Sequence, residues 1–452
     1  MRITFMVSPR LLRSALLSVL WLTASPPGVE ASDQIPGESP SHPVALVGAT
    51  IHTVSGADMA AATVLFEHGR ITAIGVDLDL PPQTESVDLA GKHIYPGMIN
   101  AETFLGLMEI GAVRASRDLV EVGDIKPNVR AEVAINADSE LIPVARATGV
   151  TAALVMPLGG LISGTSALVY LDGWTWEEMV ITAPVGLHVS WPSMAINRSS
   201  RAKVTADEQL EKRDGRIRSL REAFADARAY IRARKAETGE GIPDHDTDLR
   251  WRAMAPVLDK EIPVFVVANE IRQIQAALDW ARTEDIRMIL LAGRDAWLVA
   301  GELAERHVPV IYSVTHALPS RRWDAYDTSY AAPARLYEAG VTFCIATTSD
   351  PSFERNLPYE AARAVAYGLP RDEALKAVTL YPAQILGVGD RLGSIEVGKD
   401  ATLVVTDGDL LEITTNVELE FIEGRAVDLT SRHTQLRDKY ITKYRRMGIL
   451  AD

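Results

Sequence analysis

Glu102 in PGMINAETFLGL, His188 in GLHVSWP and Asp350 in TTSDPSFE are the side chains whose types and settings could carry chemistry in this chain. Each stands at or just past the end of an apolar, strand-like run. A carboxylate so placed can act as a general base on water, and an imidazole can pass protons either way near neutral pH. Each residue also has a structural reading. Glu102 can pair with an arginine of the charged segment that follows it. His188, and likewise His316 after VPVIYSVT, can be a hydrogen-bonded histidine of the interior. Asp350 precedes Pro351, the N-cap and first-turn proline of many helix starts. Arg114 in the charged segment, Asn269 after IPVFVVA and Arg294 after RMILLAG are the expected substrate contacts. Gly159, Gly160 and Gly164 in PLGGLISGTS lack the Lys-Ser/Thr ending of a phosphate loop and are expected in a loop at the mouth of the fold. Spacing alone supports no Ser-His-Asp triad.

The elements that must position these residues fall into two kinds. VALVGATIHTV, TVLFEHGRITAIG and SVDLAGKHI are short β-branched runs broken by Gly and Asp turns, which predicts a small antiparallel sheet. His52, His68 and His93 are expected at its surface. From there to about residue 387, apolar runs alternate with helical segments. Strands are predicted at 94–99, 150–156, 166–171, 185–190, 263–268, 288–292, 309–313 and 341–346. Eight doubly buried strands linked mostly by helices fit a closed (β/α)8 barrel. The segment 105–137 follows the first strand and belongs over the barrel mouth, where substrate contacts concentrate. Thr205 to Ala236 reads as a long amphipathic helix on the outside. SIEVGKDATLVVTDG and VELEFIEGRAV return to strand character, so the small sheet is expected to draw on both chain ends. The organisation is then a leader at 1–31, the first part of a composite β-sandwich at 32–92, the barrel at 93–391, the second part at 392–430 and a helical tail at 431–452.

Arg2, Arg10 and Arg13, the apolar run 15–24, Pro26, Pro27 and the small-residue exit at Ala31 predict a cleaved export signal, hence a periplasmic destination. That run is too short for a stable bilayer anchor. The 452 residues are 47% apolar and 23% charged, enough for a large core in an ordinary globular chain. A net charge of −14 repels phosphate backbones and argues against nucleic acid as a partner. Cys344 is the only cysteine, so no internal disulfide forms; its apolar setting predicts a buried, inert thiol.

Three blocks, GKHIYPGMINAETFLGL, the run from Tyr326 to Leu369, and DEALKAVTLYPAQILGVGDRLGSIEVGKDATLVVTDGD, resemble the amidohydrolase superfamily in its imidazolonepropionase-like branch. The resemblance implies a barrel holding one or two divalent metals at the C-terminal ends of its strands. The metal activates water for attack on a carbonyl-type carbon, and an eighth-strand Asp accepts the proton. It also implies hydrolysis of non-peptide C–N bonds, often in rings, with some relatives cleaving dipeptides. Carried over position by position, the first-strand His pair of PG-x-I-D-x-H-x-H falls on Glu102 and Phe104. The fourth-strand ligand falls on His188, the fifth on Val267 and the sixth on Ala292. The eighth-strand Asp falls near Thr348, with Asp350 two residues on. Phe104, Val267 and Ala292 carry no donor atom, and zinc sites take three or four protein ligands. The expectation is therefore no bound metal or other cofactor. Either a divergent hydrolase uses Glu102, His188 and Asp350 on a small-molecule substrate, or a non-catalytic protein binds a small ligand. As a partner subunit it would form a homo-oligomer or pair with a ligand-complete amidohydrolase.

Overall fold

The computed structural model describes residues 34–199, 201–236, 246–348 and 350–450, so the leader expected at 1–31 lies outside the described residues. Five strands open the chain: β1 (Val44–Ile51), β2 (Met59–Glu67), β3 (Arg70–Gly75), β4 (Glu85–Asp88) and β5 (His93–Pro96). Eight follow as the barrel: β6 (Met98–Thr103), β7 (Val150–Val155), β8 (Ile162–Tyr170), β9 (Val180–Ser190), β10 (Val264–Ala268), β11 (Met288–Ala292), β12 (Val310–Tyr312) and β13 (Phe343–Ile345). Three return to the first sheet: β14 (Leu403–Thr406), β15 (Val417–Ile422) and β16 (Arg425–Ala426).

The small sheet runs β16-β15-β14-β5-β1-β2-β3, with β4 also beside β1, so strands from the two chain ends meet at the antiparallel β5–β14 pair. Phe66 on β2 and Phe421 on β15 are four strand steps apart, yet their rings are 5.4 Å apart, edge to face. A flat sheet would separate them by about 19 Å at roughly 4.8 Å per step. The sheet therefore curls over its own core of Leu46, Ile51, Val64, Phe66, Ile94, Leu403 and Val405. His52 is not at the surface. It is 9% exposed, hydrogen-bonded to Asp58 at 2.7 Å and to His93 at 2.9 Å, and stacked on Tyr95 at 4.2 Å. Burial lowers its pKa, because the charged imidazole loses its hydration.

The predicted strand 94–99 divides at Gly97. His93–Pro96 pairs in the small sheet and Met98–Thr103 opens the barrel. A Cβ at Gly97 would stand 2.1 Å from the Thr151 hydroxyl, so only glycine lets the chain cross this closely.

All eight predicted barrel strands form, but not all run the same way. β6–β7 and β9 through β13 are parallel, whereas β8 is antiparallel to both β7 and β9. The reason is connection length. The turn between β7 and β8, at Gly159 and Gly160 with φ of 91° and 78°, is too short for a crossover helix. PLGGLISGTS is thus a hairpin at the barrel mouth. The segment 105–137 lies along that hairpin through isolated bridges at Val120–Leu158, Ile125–Ile162 and Arg130–Thr165.

No backbone ladder joins β13 to β6 among the described residues. The long helix Ala206–Ala236 buries Leu220, Ala223, Phe224 and Ala227 on the barrel flank, with Phe224 edge-on to Trp280 at 5.1 Å. The tail helix Arg432–Arg446 buries none of its residues. Among the described residues, no helix is long and apolar enough to cross a membrane.

Candidate functional site

The open seam between β6 and β13 is where the chemistry-bearing groups gather. β6 enters the barrel with Met98 and Ile99 buried, then presents Asn100, Glu102 and Thr103. Asn100 takes the place of the Asp in the PG-x-I-D motif. Its Oδ1 accepts from the Thr347 backbone N–H at 3.1 Å, and its Nδ2 donates to the Thr347 hydroxyl at 2.8 Å and to the Glu102 carbonyl at 3.0 Å. The same Nδ2 donates to Glu354 Oε2 at 2.5 Å.

Glu354 lies in the 3₁₀ turn Pro351–Asn356 after β13 and is only 1% exposed. The Thr103 hydroxyl also bonds it, and its Oε1 has no partner. Burial is the main force pushing its pKa up to about 8, and the nearby negative charges of Glu102 and Asp350 add to it. Glu102 is 7% exposed, with a bond from Ser313 and an unpartnered Oε2. Burial raises it to about 7. Two buried carboxyls thus interact at the C-terminal end of the barrel, and both hold a proton into the neutral range. Cys344 lies fully buried on β13. Burial first, then the Glu102 charge, pushes its thiol far up, as an inert thiol requires.

Asp350 does not join this pair. It is exposed and caps the turn, its Oδ1 accepting from the Ser352 N–H at 3.0 Å and the Ser352 hydroxyl at 2.8 Å. Glu354, four residues on, is the carboxyl buried beside Asn100, because the turn rotates the later side chain inward. No signal in PSFERN singled Glu354 out, since a glutamate in a first turn reads as a complement to the helix dipole.

His188 is buried in the barrel on β9, its ring stacked on Phe265 at 4.8 Å. Neither ring nitrogen has a partner, so it makes no hydrogen bond to either carboxyl. Desolvation lowers its pKa to about 3, which keeps the imidazole neutral. Arg114 is exposed in the turn Arg114–Ser116. Asn269 and Arg294 are brought together at the ends of β10 and β11, where the Arg294 N–H donates to Asn269 Oδ1 at 3.3 Å. The Arg294 Nε is buried without a partner. His316 is held by Glu360, which accepts its backbone N–H at 2.9 Å and meets its Nδ1 at 3.0 Å.

Among the described residues, no three His, Cys, Asp or Glu side chains converge as a metal ligand set. Phe104 and Ala292 are buried hydrocarbon, and Val267 is half-buried hydrocarbon. As placed, these residues do not fit a divalent metal. What Glu102 and Glu354 can do is take up and release protons near neutrality, so that one carboxyl serves as acid and the other as base.

A family model described as "Amidohydrolase family" matches residues 302–431. The amidohydrolase tasK of Hapsidospora irregularis is 24% identical over 402 residues, which is 80% of this chain but 39% of that protein. The imidazolonepropionase of Syntrophobacter fumaroxidans is 39% identical over 82 residues, 18% of this chain and 19% of that one. The chain therefore spans about two-fifths of the first relative's length and a fifth of the second's. The crystal structure of an amidohydrolase from Thermotoga maritima superposes with a TM-score of 0.76 at 26% identity, covering 85% of this chain and 99% of that one.

Proposed function

From the premise that the chain belongs to the amidohydrolase superfamily and resembles its imidazolonepropionase-like branch, we propose that it is an exported hydrolase of non-peptide, cyclic amide-like C–N bonds in which Glu102 and Glu354 do the acid–base work. The observation that carries this reading is the buried carboxyl pair, held at about 7 and about 8. Ionised Glu102 takes a proton from water as its oxygen attacks the carbonyl carbon. Protonated Glu354 gives its proton to the departing nitrogen as the C–N bond breaks. One proton is accepted and one donated, so the pair returns to its starting charge by exchange between the two carboxyls. Asn269 and Arg294 stand at neighbouring strand ends, where barrel enzymes hold substrates, and orient the ring.

The test is turnover of cyclic amides and dipeptides by chelator-treated protein. Activity is expected to survive chelation and to fall at least about a hundredfold in Glu102→Gln and Glu354→Gln. Activity indifferent to Glu102→Gln sinks this mechanism.

A second reading, a non-catalytic partner of a ligand-complete amidohydrolase, is favoured by the lack of converging metal-ligand side chains among the described residues. Co-purification with such a relative, and no turnover by the isolated chain, would support it.

A further inference from the structure

A cavity opens where β9 ends, about 510 Å³ in volume, floored by Ser190, Trp191 and Pro192 and walled by the start of the helix Ala206–Ala236. Its position is fixed from both sides. The Trp191 N–H donates to the Val267 carbonyl at 3.2 Å, and Gln273 Nε2 donates to the Trp191 carbonyl at 2.7 Å, which ties the floor to β10 and the helix behind it. The covering loop is pinned to the long helix by Gln209. Its Oε1 accepts from the Asn197 N–H at 2.9 Å, and its Nε2 donates to the carbonyls of Asn197 at 3.0 Å and Val204 at 3.2 Å.

Charge distinguishes this cavity from the rest of an acidic chain. Lys203, Lys212, Arg213 and Arg216 line it, and no lining residue is Asp or Glu. Asp214 neutralises Arg213 at 2.7 Å, and Asp124 stands 3.6 Å from Arg216. Lys203 and Lys212 have no ionic partner among the described residues. Cations gathered around one concavity repel each other unless an anion occupies it. The floor adds a second, independent feature. Trp191 is 4% exposed and its indole N–H is buried with no acceptor. An unmatched buried donor costs free energy that an acceptor would recover.

We infer that this cavity binds a small organic oxyanion, with its carboxylate or phosphate group among Lys203, Lys212 and Arg216 and its apolar part against Trp191. The volume suits a ligand of that size. The inference does not depend on the reading of Glu102 and Glu354, because it concerns binding and is measured without turnover.

Titration calorimetry of the full chain with inorganic phosphate, phenyl phosphate and benzoate tests it. Saturable one-to-one binding is expected for at least one organic probe, tighter than for inorganic phosphate. Phenyl phosphate tighter than benzoate assigns a phosphate, and the reverse order a carboxylate. The double variant K203A/K212A removes two exposed lysines and should weaken binding about tenfold or more. K439A/K443A makes the same charge change on the exposed tail helix and should leave binding unchanged. Three results overturn the inference: no saturable binding by any probe, inorganic phosphate binding as tightly as both organic probes, or equal weakening in the two double variants.

Discussion

Asn100 on β6 and Thr347 after β13 hold the barrel shut across the seam that no backbone ladder spans, Thr347 N–H to Asn100 Oδ1 at 3.1 Å and Asn100 Nδ2 to Thr347 Oγ1 at 2.8 Å. The same amide reaches Glu354, so one side chain both closes the barrel and positions half of the carboxyl pair. Asn100→Ala would leave the Thr347 N–H and Glu354 Oε2 without this partner in the interior. A loss of about 2–4 kcal/mol is expected in urea unfolding. A loss under about 0.5 kcal/mol would show that the seam closes without it.

The carboxyl pair makes stability depend on pH in a set direction. Folded Glu102 and Glu354 keep their protons to about 7 and about 8, against 4.5 for a free carboxyl. The folded chain therefore binds more protons than the unfolded chain in this window. The stability they contribute is full below 4.5 and falls as pH rises through 7 and 8. Glu102→Gln and Glu354→Gln should flatten that fall by about 3 and about 5 kcal/mol across the window. Unfolding midpoints measured from pH 4.5 to 9 check this, and a wild-type curve with no decline would contradict it.

His188 works in the opposite sense. Its folded pKa of about 3 lies below the ordinary 6.5, so the unfolded chain binds the extra proton between those values. Stability is full above 6.5 and lost as pH falls toward 3. Replacing the ring by His188→Phe removes that loss and two unpartnered buried nitrogens. A gain of about 1–2 kcal/mol at pH 5 is expected, with a smaller gain at pH 8. Turnover should survive, since the imidazole is bonded to neither carboxyl; loss of turnover with the fold intact would place His188 in the catalytic set.

Gly97 sits at the crossing from small sheet to barrel, and a Cβ there would lie 2.1 Å from Thr151 Oγ1 and 2.4 Å from its Cγ2. Gly97→Ala should cost about 3 kcal/mol. Gly97→Ala combined with Thr151→Ala should recover part of it, because Oγ1 and Cγ2 are removed while the Cβ of residue 151 stays 2.7 Å away. No recovery in the double variant would place the strain in the backbone instead.

The barrel and the two-ended sheet were legible in the sequence because doubly buried strands must be continuous apolar runs, whatever their direction. All eight runs became strands for that reason. The reversal of β8 was missed because its strand was expected from residue 166; an apolar run reads the same in either direction, and the actual start at Ile162 leaves only the short turn at Gly159–Gly160. The division of 94–99 at Gly97 was hidden likewise, since both halves are apolar and only the approach of Thr151 separates them.

Within the site, the sequence by itself determined which atoms exist: Phe104, Val267 and Ala292 offer no donor, and Glu102 offers a carboxylate in a strand that had to be buried. Residue type fixes donor chemistry before any folding. The tertiary structure alone decided which groups meet. Glu354 rather than Asp350 turns inward, Asn100 binds across the seam, and His188 lies against Phe265 out of hydrogen-bonding contact with both carboxyls. Those outcomes depend on where separate strands end in space and on how far water is excluded around each group, and neither is written in local sequence.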